Sequence, residues 1–297
     1  MTLSESQQPL RIALLFHMNQ SLTPFAQIAT ENCYKGLFRV LRNHRRSHFN
    51  LHVSGTLLSA LQWYAPKFVE ELRRASDELQ IEFLGSTYSQ NVMYSTPLAS
   101  NKIEVQAHRE ALEEVLGVSP KGFWNSERCW RPDFVSFLSE SGYRYTLIED
   151  QILQNSGCRE LGRPRILQNN HREPRAELTV FTDHNELKHL FNLAAWTGNP
   201  QPLENFLRGY HAANSQTPQV LCYAEDAEAM GLWGYERGVL PQVIWAQMDA
   251  VLEWLGSQPW IRIVTFGEAL EIPALKESAE VKEGQASWML ASLRDPH

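Results

Sequence analysis

The chain has 297 residues, 43% of them hydrophobic, with 34 acidic against 27 basic side chains and a net charge of −7. That is enough apolar material for one large core, and the acidic balance excludes the basic footprint of a nucleic-acid binder. No apolar stretch reaches membrane-spanning length and the polar, acidic N-terminus does not read as a signal peptide, so a cytoplasmic protein with no membrane contact is expected.

Short runs rich in Val, Ile, Leu and Phe alternate along the chain with longer helical patterns. The first strand is expected over 12–16 and leads into His17-Met18-Asn19-Gln20. The basic run from Arg42 to Arg46 reads as a solvated helix end. A strand over 49–53, a helix over 67–79 and a strand over 81–84 follow. Next come a helix over 102–116, a strand over 122–124, a helix over 133–141 and a strand over 145–148. Residues 155–175 are rich in Arg, Asn, Gly and Pro, break the rhythm, and read as a loop or small excursion. The pattern resumes with a strand at 178–181, a helix at 203–213, a strand at 220–223, a helix at 242–255 and a strand at 261–264. Continuous apolar strands separated by helices imply parallel pairing with both sheet faces covered. Seven or eight such units predict an α/β parallel barrel over 1–270. Residues 271–293 are expected to supply a helix at its mouth, with Trp288 covering apolar surface, in a short helical extension over 271–297.

In a parallel barrel the residues just after each strand share one rim. Trp124-Asn125-Ser126-Glu127-Arg128-Cys129-Trp130-Arg131-Pro132 places a carboxylate between two indoles at a strand end. Flat aromatic faces beside a carboxylate suit a sugar ring whose anomeric carbon is attacked. The same spacing is also met in a buried tryptophan pair with Glu127 on the surface. A glycosidase needs a second carboxylate with a raised pKa. Asp226 is the best partner, because it follows an apolar strand and precedes Met230-Gly231-Leu232-Trp233. Helix capping is the competing reading for Glu225, Asp226 and Glu228. It competes likewise for Asp183-His184 ahead of a helix from Asn185, while His17 can equally be a core histidine.

A metal site is not expected. Cys33, Cys129, Cys158 and Cys222 include no C-x-x-C pair, so reduced thiols are expected instead. His17, His108, Asp183, His184 and His189 are candidate ligands, but they form neither H-x-x-x-H nor H-E-x-x-H. His184 and His189, five apart, fall off a common helical face.

These residues resemble glycoside hydrolase family 57, whose members include α-amylases, 4-α-glucanotransferases and branching enzymes. The likeness runs in order along nearly the whole chain. His17-Met18-Asn19 resembles the family's opening His-Gln-Pro, 49–58 its second strand, and Gln80 to Gly85 its Gly-Gln-x-Glu region. Trp124 to Pro132 matches the nucleophile motif Trp-x-x-Glu-Arg-x-Trp-x-Pro in full. Glu225 to Trp233 matches the acid/base region loosely, and Thr265-Phe266-Gly267-Glu268 resembles the segment after the last strand. The resemblance implies an incomplete (β/α)7 barrel, no metal or other cofactor, and retention of configuration on an α-linked glucan or oligosaccharide. It implies Glu127 as nucleophile and Asp226 as acid/base, with His17, Glu82, Trp124, Asp183 and Trp233 lining sugar subsites.

The sequence departs from the family pattern in three places. His17-Met18-Asn19 lacks Gln-Pro, Ala227 and Ala229 stand for Gly and Lys, and about 27 residues follow the barrel where the family carries a long helical wall. A short wall predicts weak affinity for long polymer and either a preference for short oligosaccharides or a second copy or partner subunit that completes the cleft. Two other functions fit the same barrel: a catalytically weak carbohydrate-binding or regulatory homologue, and a metal-dependent polysaccharide deacetylase.

Overall fold

Each apolar run read as a strand finds a parallel partner, and helices cover the outer face of the sheet they build. The protein is represented by a computed structural model that describes residues 7–22, 24–78, 81–169, 176–276 and 281–288. The strands are β1 (Leu10–Met18), β2 (Phe49–Val53), β3 (Ile81–Phe83), β4 (Gly122–Phe123) and β5 (Tyr145–Glu149). They continue as β6 (Arg165–Asn169), β7 (Ala176–Asp183), β8 (Gln219–Asp226), β9 (Ile261–Ile263) and β10 (Leu275–Lys276).

Seven of these strands run parallel around a nearly closed ring, in the order β1, β2, β3, β4, β5, β7, β8. This is an incomplete (β/α)7 barrel. β3 and β4 join just past the end of β3, where Gly85 bridges to Phe123. β8 pairs with β1 over eight positions, from Leu10↔Gln219 to His17↔Asp226. Between β7 and β8 the pairing falls to one position, Asp183↔Cys222. There Val220 N–H donates instead to the Gly162 carbonyl at 2.7 Å, so a loop occupies the lower part of the seam. β9 is not an eighth stave. It pairs with Leu10–Ile12, the start of β1, while β2 takes the end of the same edge.

The stretch 155–175, expected to be a loop, contains β6, which forms an antiparallel pair with β7. The alternation of β6 is too weak to announce a strand; residues 170–175 lie outside the described part. The expected helices appear as Pro66–Glu78, Leu98–Leu116, Phe134–Glu140, Gln201–Asn214 and Pro241–Ser257. Others join them at Gly55–Tyr64, Asp150–Asn155 and Asn185–Thr197. Asn185–Thr197 stops at Gly198, whose φ of +69° only a residue without Cβ adopts freely. The tail differs from expectation. Leu275 and Lys276 pair with β6, and Gly284 bridges antiparallel to Trp130, so this part of the tail is extended rather than helical. Among the described residues of the tail, only Ser287 and Trp288 take helical backbone; 277–280 and 289–297 lie outside the described residues.

The core lies in two shells. Inside the ring sit Ala13, Leu15, Leu84, Tyr145, Leu147, Phe181, Cys222 and Ala224. Outside it, residues of opposite parity such as Leu14, Phe16, Leu221 and Tyr223 pack on the helices. Strand alternation produces both shells from one run of apolar residues.

Candidate active site

The same alternation decides which polar groups enter the barrel mouth. Leu15, Asn50 and Glu82 align across β1, β2 and β3 in one inward layer. One layer nearer the C-terminal ends, His17 aligns with His52 of β2 and Asp226 of β8. Glu149 of β5 aligns there with Asp183 of β7. The last inward position of five strands is therefore polar, and a cleft of about 660 Å3 opens over them.

Glu127 reaches the cleft from the loop after β4. The Asn125 carbonyl accepts from Arg128 N–H at 2.9 Å, and the Asn125 amide donates to the Cys129 carbonyl at 2.6 Å. Arg128 closes this turn at φ +55°, a strained conformation for arginine of the kind retained at functional sites. Its guanidinium lies 5.2 Å from the Trp124 ring centre. It pairs with Asp183 of β7 at 3.2 Å and Glu225 of β8 at 2.9 Å, and donates to the Ala224 carbonyl at 3.1 Å.

Glu127, Asp226, His17 and Trp233 all line the cleft. Three residues expected to line sugar subsites are placed otherwise. Trp124 is 1% exposed and lies beneath the cleft, its ring centre 5.5 Å from that of His17. Asp183 is also 1% exposed; Lys188 Nζ donates to it at 3.0 Å. Glu82 sits a layer lower, accepting from the Tyr145 hydroxyl and from Gly267 N–H, each at 2.7 Å. Its carboxylate is committed to tying the helix Phe266–Ala269 to the barrel interior.

The competing capping readings separate in the same way. Helix Glu228–Gly231 has no side-chain cap, so Asp226 is free to face the cleft. His184 does cap Asn185–Thr197, accepting from Leu187 N–H. Among the described residues, no group of three or more His, Cys, Asp or Glu is arranged to hold a metal ion. His17 and His108 are instead joined through His52 and Ser86.

Electrostatics distinguishes the two cleft carboxyls. Burial raises the Asp226 carboxyl to about 7; Arg128 opposes this, and Glu225, Glu228 and Glu127 reinforce it. Its side chain still presents 35% of its surface, through the cleft. Glu127 is also raised by burial, with the adjacent Arg128 pulling it back. Asp183 is raised to about 6 by burial, against the opposing pull of Lys188 and Arg128.

Several residues at or beside the cleft were not singled out as site residues from the sequence. Glu149 is 1% exposed and reached by Lys188 Nζ at 3.6 Å. It accepts from Ser287 N–H at 2.7 Å and from the Ser287 hydroxyl at 3.1 Å. That latch brings Trp288, 48% exposed, into the cleft wall with Trp233, 36% exposed. Glu228 accepts from Gln20 N–H at 3.0 Å and from the Tyr34 hydroxyl, fixing the loop after β1. A charged residue ending an apolar strand was the available signal for Glu149, and a lysine five residues after Asp183, in the helix from Asn185, was the signal for Lys188.

Comparison with known proteins agrees with this geometry. A 4-alpha-glucanotransferase of Thermococcus litoralis is 24% identical over 273 residues, covering 88% of this chain and 38% of that enzyme. Alpha-amylase 1 of Dictyoglomus thermophilum is 26% identical over 220 residues, covering 71% of this chain and 31% of the relative. The chain thus spans about a third of the length of these curated relatives. Its fold superposes on the crystal structure of the Thermococcus litoralis 4-alpha-glucanotransferase with a TM-score of 0.78 at 21% identity, covering 96% of this chain and 43% of that one. A putative polysaccharide deacetylase from Mycobacterium smegmatis shares the fold with a TM-score of 0.63 at 12% identity, covering 94% and 96%. The model of Glycosyl hydrolase family 57 matches residues 13–281, from β1 to beyond β10, and the chain belongs to that family.

Proposed function

We propose that this chain is a retaining glycosidase or transglycosylase acting on α-linked glucan or related oligosaccharide. The observation that carries the reading is the pair Glu127 and Asp226 in one cleft, the second with its carboxyl raised to about 7. Near neutrality a protonated Asp226 donates to the leaving glycosidic oxygen while ionised Glu127 attacks the anomeric carbon. Asp226, now ionised, then takes a proton from water or an acceptor hydroxyl as the glycosyl–Glu127 ester breaks. Arg128 stabilises the ionised form of Glu127. Trp233 and Trp288 offer ring faces for sugar stacking. The names of the relatives support an α-glucan as substrate.

Glu127→Gln should lower turnover of maltooligosaccharides on the order of a thousandfold or more, while leaving sugar binding largely intact. Chromatography of products and NMR of the newly formed anomer measure it. Near-native turnover by Glu127→Gln would remove Glu127 from its role. Wild-type protein that binds maltooligosaccharide and turns none over would be a carbohydrate-binding homologue.

A further inference from the structure

His52, Ser86 and His108 are buried polar residues that acid/base chemistry at Glu127 and Asp226 does not use. With His17 they form a continuous hydrogen-bonded chain from the cleft into the barrel wall. His17 Nδ1 lies 2.6 Å from His52 Nδ1, and His52 Nε2 lies 2.7 Å from Ser86 Oγ. His108 Nδ1 faces Ser86 N–H at 2.8 Å and Ser86 Oγ at 3.2 Å, while His108 Nε2 lies 2.9 Å from the Val53 carbonyl. His52 and His108 are 0% exposed, and His17 is 2% exposed.

The protons along this chain can be assigned from its far end. The Val53 carbonyl only accepts, so His108 carries its proton on Nε2, and its bare Nδ1 accepts from Ser86 N–H. The Ser86 hydroxyl has one proton, and its acceptors are the Thr87 carbonyl at 2.8 Å and His108 Nδ1. The Gln90 amide already donates to Ser86 Oγ at 2.6 Å. With the hydroxyl proton given to the Thr87 carbonyl, the contact between Ser86 and His52 is donated by His52 Nε2–H. Burial lowers the pKa of all three rings, to about 3 for His17 and about 4 for His108, so each is neutral near pH 7. A neutral His52 protonated on Nε2 has a bare Nδ1, which accepts from His17 Nδ1–H. The remaining nitrogen of His17 is therefore bare. It faces the cleft 3.9 Å from Asp226 Oδ1.

We propose that His52, Ser86 and His108 are positioning residues that lock His17 as its Nδ1–H tautomer, so that Nε2 meets the substrate only as a hydrogen-bond acceptor for a sugar hydroxyl beside Asp226. This rests on the glycosidase reading for its substrate, but the tautomer itself does not. The opposite tautomer would aim an N–H at the cleft and compete with the sugar hydroxyl for the oxygen atoms of Asp226. The polarity of the links is set by two main-chain carbonyls, Val53 at His108 and Thr87 at Ser86, because a carbonyl can never donate.

Nitrogen-15 NMR of the histidine rings in the full chain reads the tautomers directly, with assignment by single His→Gln variants. His17 should show Nδ1–H, and His52 and His108 should show Nε2–H, near pH 7 with no sugar present. A wild-type His17 protonated on Nε2, or doubly protonated, would overturn the proposal whatever the activity. Ser86→Ala removes the oxygen that orients His52. It should lower the melting temperature by a few degrees, mix the His17 tautomers, and lower kcat/KM on maltooligosaccharides about tenfold, mostly through KM. Mixed tautomers with unchanged kcat/KM would overturn the proposal. If Ser86→Ala does not fold, His108→Gln, whose amide can replace the link to Ser86, should recover most of the native tautomer and activity. Absence of wild-type turnover on any α-glucan would instead count against the proposed function, and the ring spectra would still judge the relay.

Discussion

In the proposed mechanism Asp226 sets the pH dependence: as general acid it must be protonated, and its carboxyl is raised to about 7, chiefly by burial. kcat/KM should therefore fall as pH rises through about 7, and also fall on the acid side as Glu127 gains a proton. A profile flat from pH 5 to 9 would refute this. The same shift affects folding with a defined sign. A folded-state pKa raised above the unfolded value favours folding most at low pH, and that contribution is lost as pH rises from about 4 to about 7. Asp226→Asn should thus melt above wild type at pH 8 and close to it at pH 4, as differential scanning calorimetry would show. Arg128 has the opposite character. Removing it leaves Asp183 and Glu225 without the cation they share. Arg128→Gln should lower stability by about 3–5 kcal/mol in urea denaturation. Glu127 and Asp226, the proposed catalytic pair, were singled out by a motif and a strand end, and both line the cleft. The part played by Arg128 was not, since its partners lie 55 and 97 positions away and meet it only through barrel register.

Among the elements, the staves were the legible part. Eight apolar runs were expected as strands and all eight pair. Length hid the rest: β10 has two residues, and β6 draws its strand character from its partner β7. Parity was legible too, because Leu15, His17, His52, Glu149, Asp183 and Asp226 follow from counting by two once the strands are placed. Glu82 shows where counting failed, since motif likeness ignored that it stands one layer too low. The helices after β1 contain a feature with no sequence signature. Phe25–Ala29 and Lys35–Asn43 are joined by a π-turn over Thr30–Tyr34, which presents Tyr34 to Glu228. Gly231 packs against that turn so closely that a Cβ would stand 2.4 Å from Cys33 Sγ and 2.6 Å from the Asn32 carbonyl oxygen. Gly231→Ala should therefore cost about 1–3 kcal/mol and loosen the loop at Gln20. A lower melting temperature and a raised KM would report both; an unchanged melting temperature would contradict the contact.

For the whole molecule, the four cysteines are all buried thiols, which gives a probe of global opening. A thiol reagent should label none in native buffer and four in concentrated urea, and its rate should track unfolding. Fast labelling of Cys222 alone would reveal local opening at β8 instead. The seam beside β8 gives that outcome its interest. A ring closed by ladders of unequal length gathers its compliance at the thinnest joints, here β3–β4, which meet at one bridge, and β7–β8. The second of these is the cut beside the cleft, where one backbone position pairs and Arg128 reaches both Asp183 and Glu225. Glu127 and Asp226 belong to opposite arms of that ring, on the β4 and β8 sides. Any widening of the cut changes their spacing, and one guanidinium acts as the clasp that sets it.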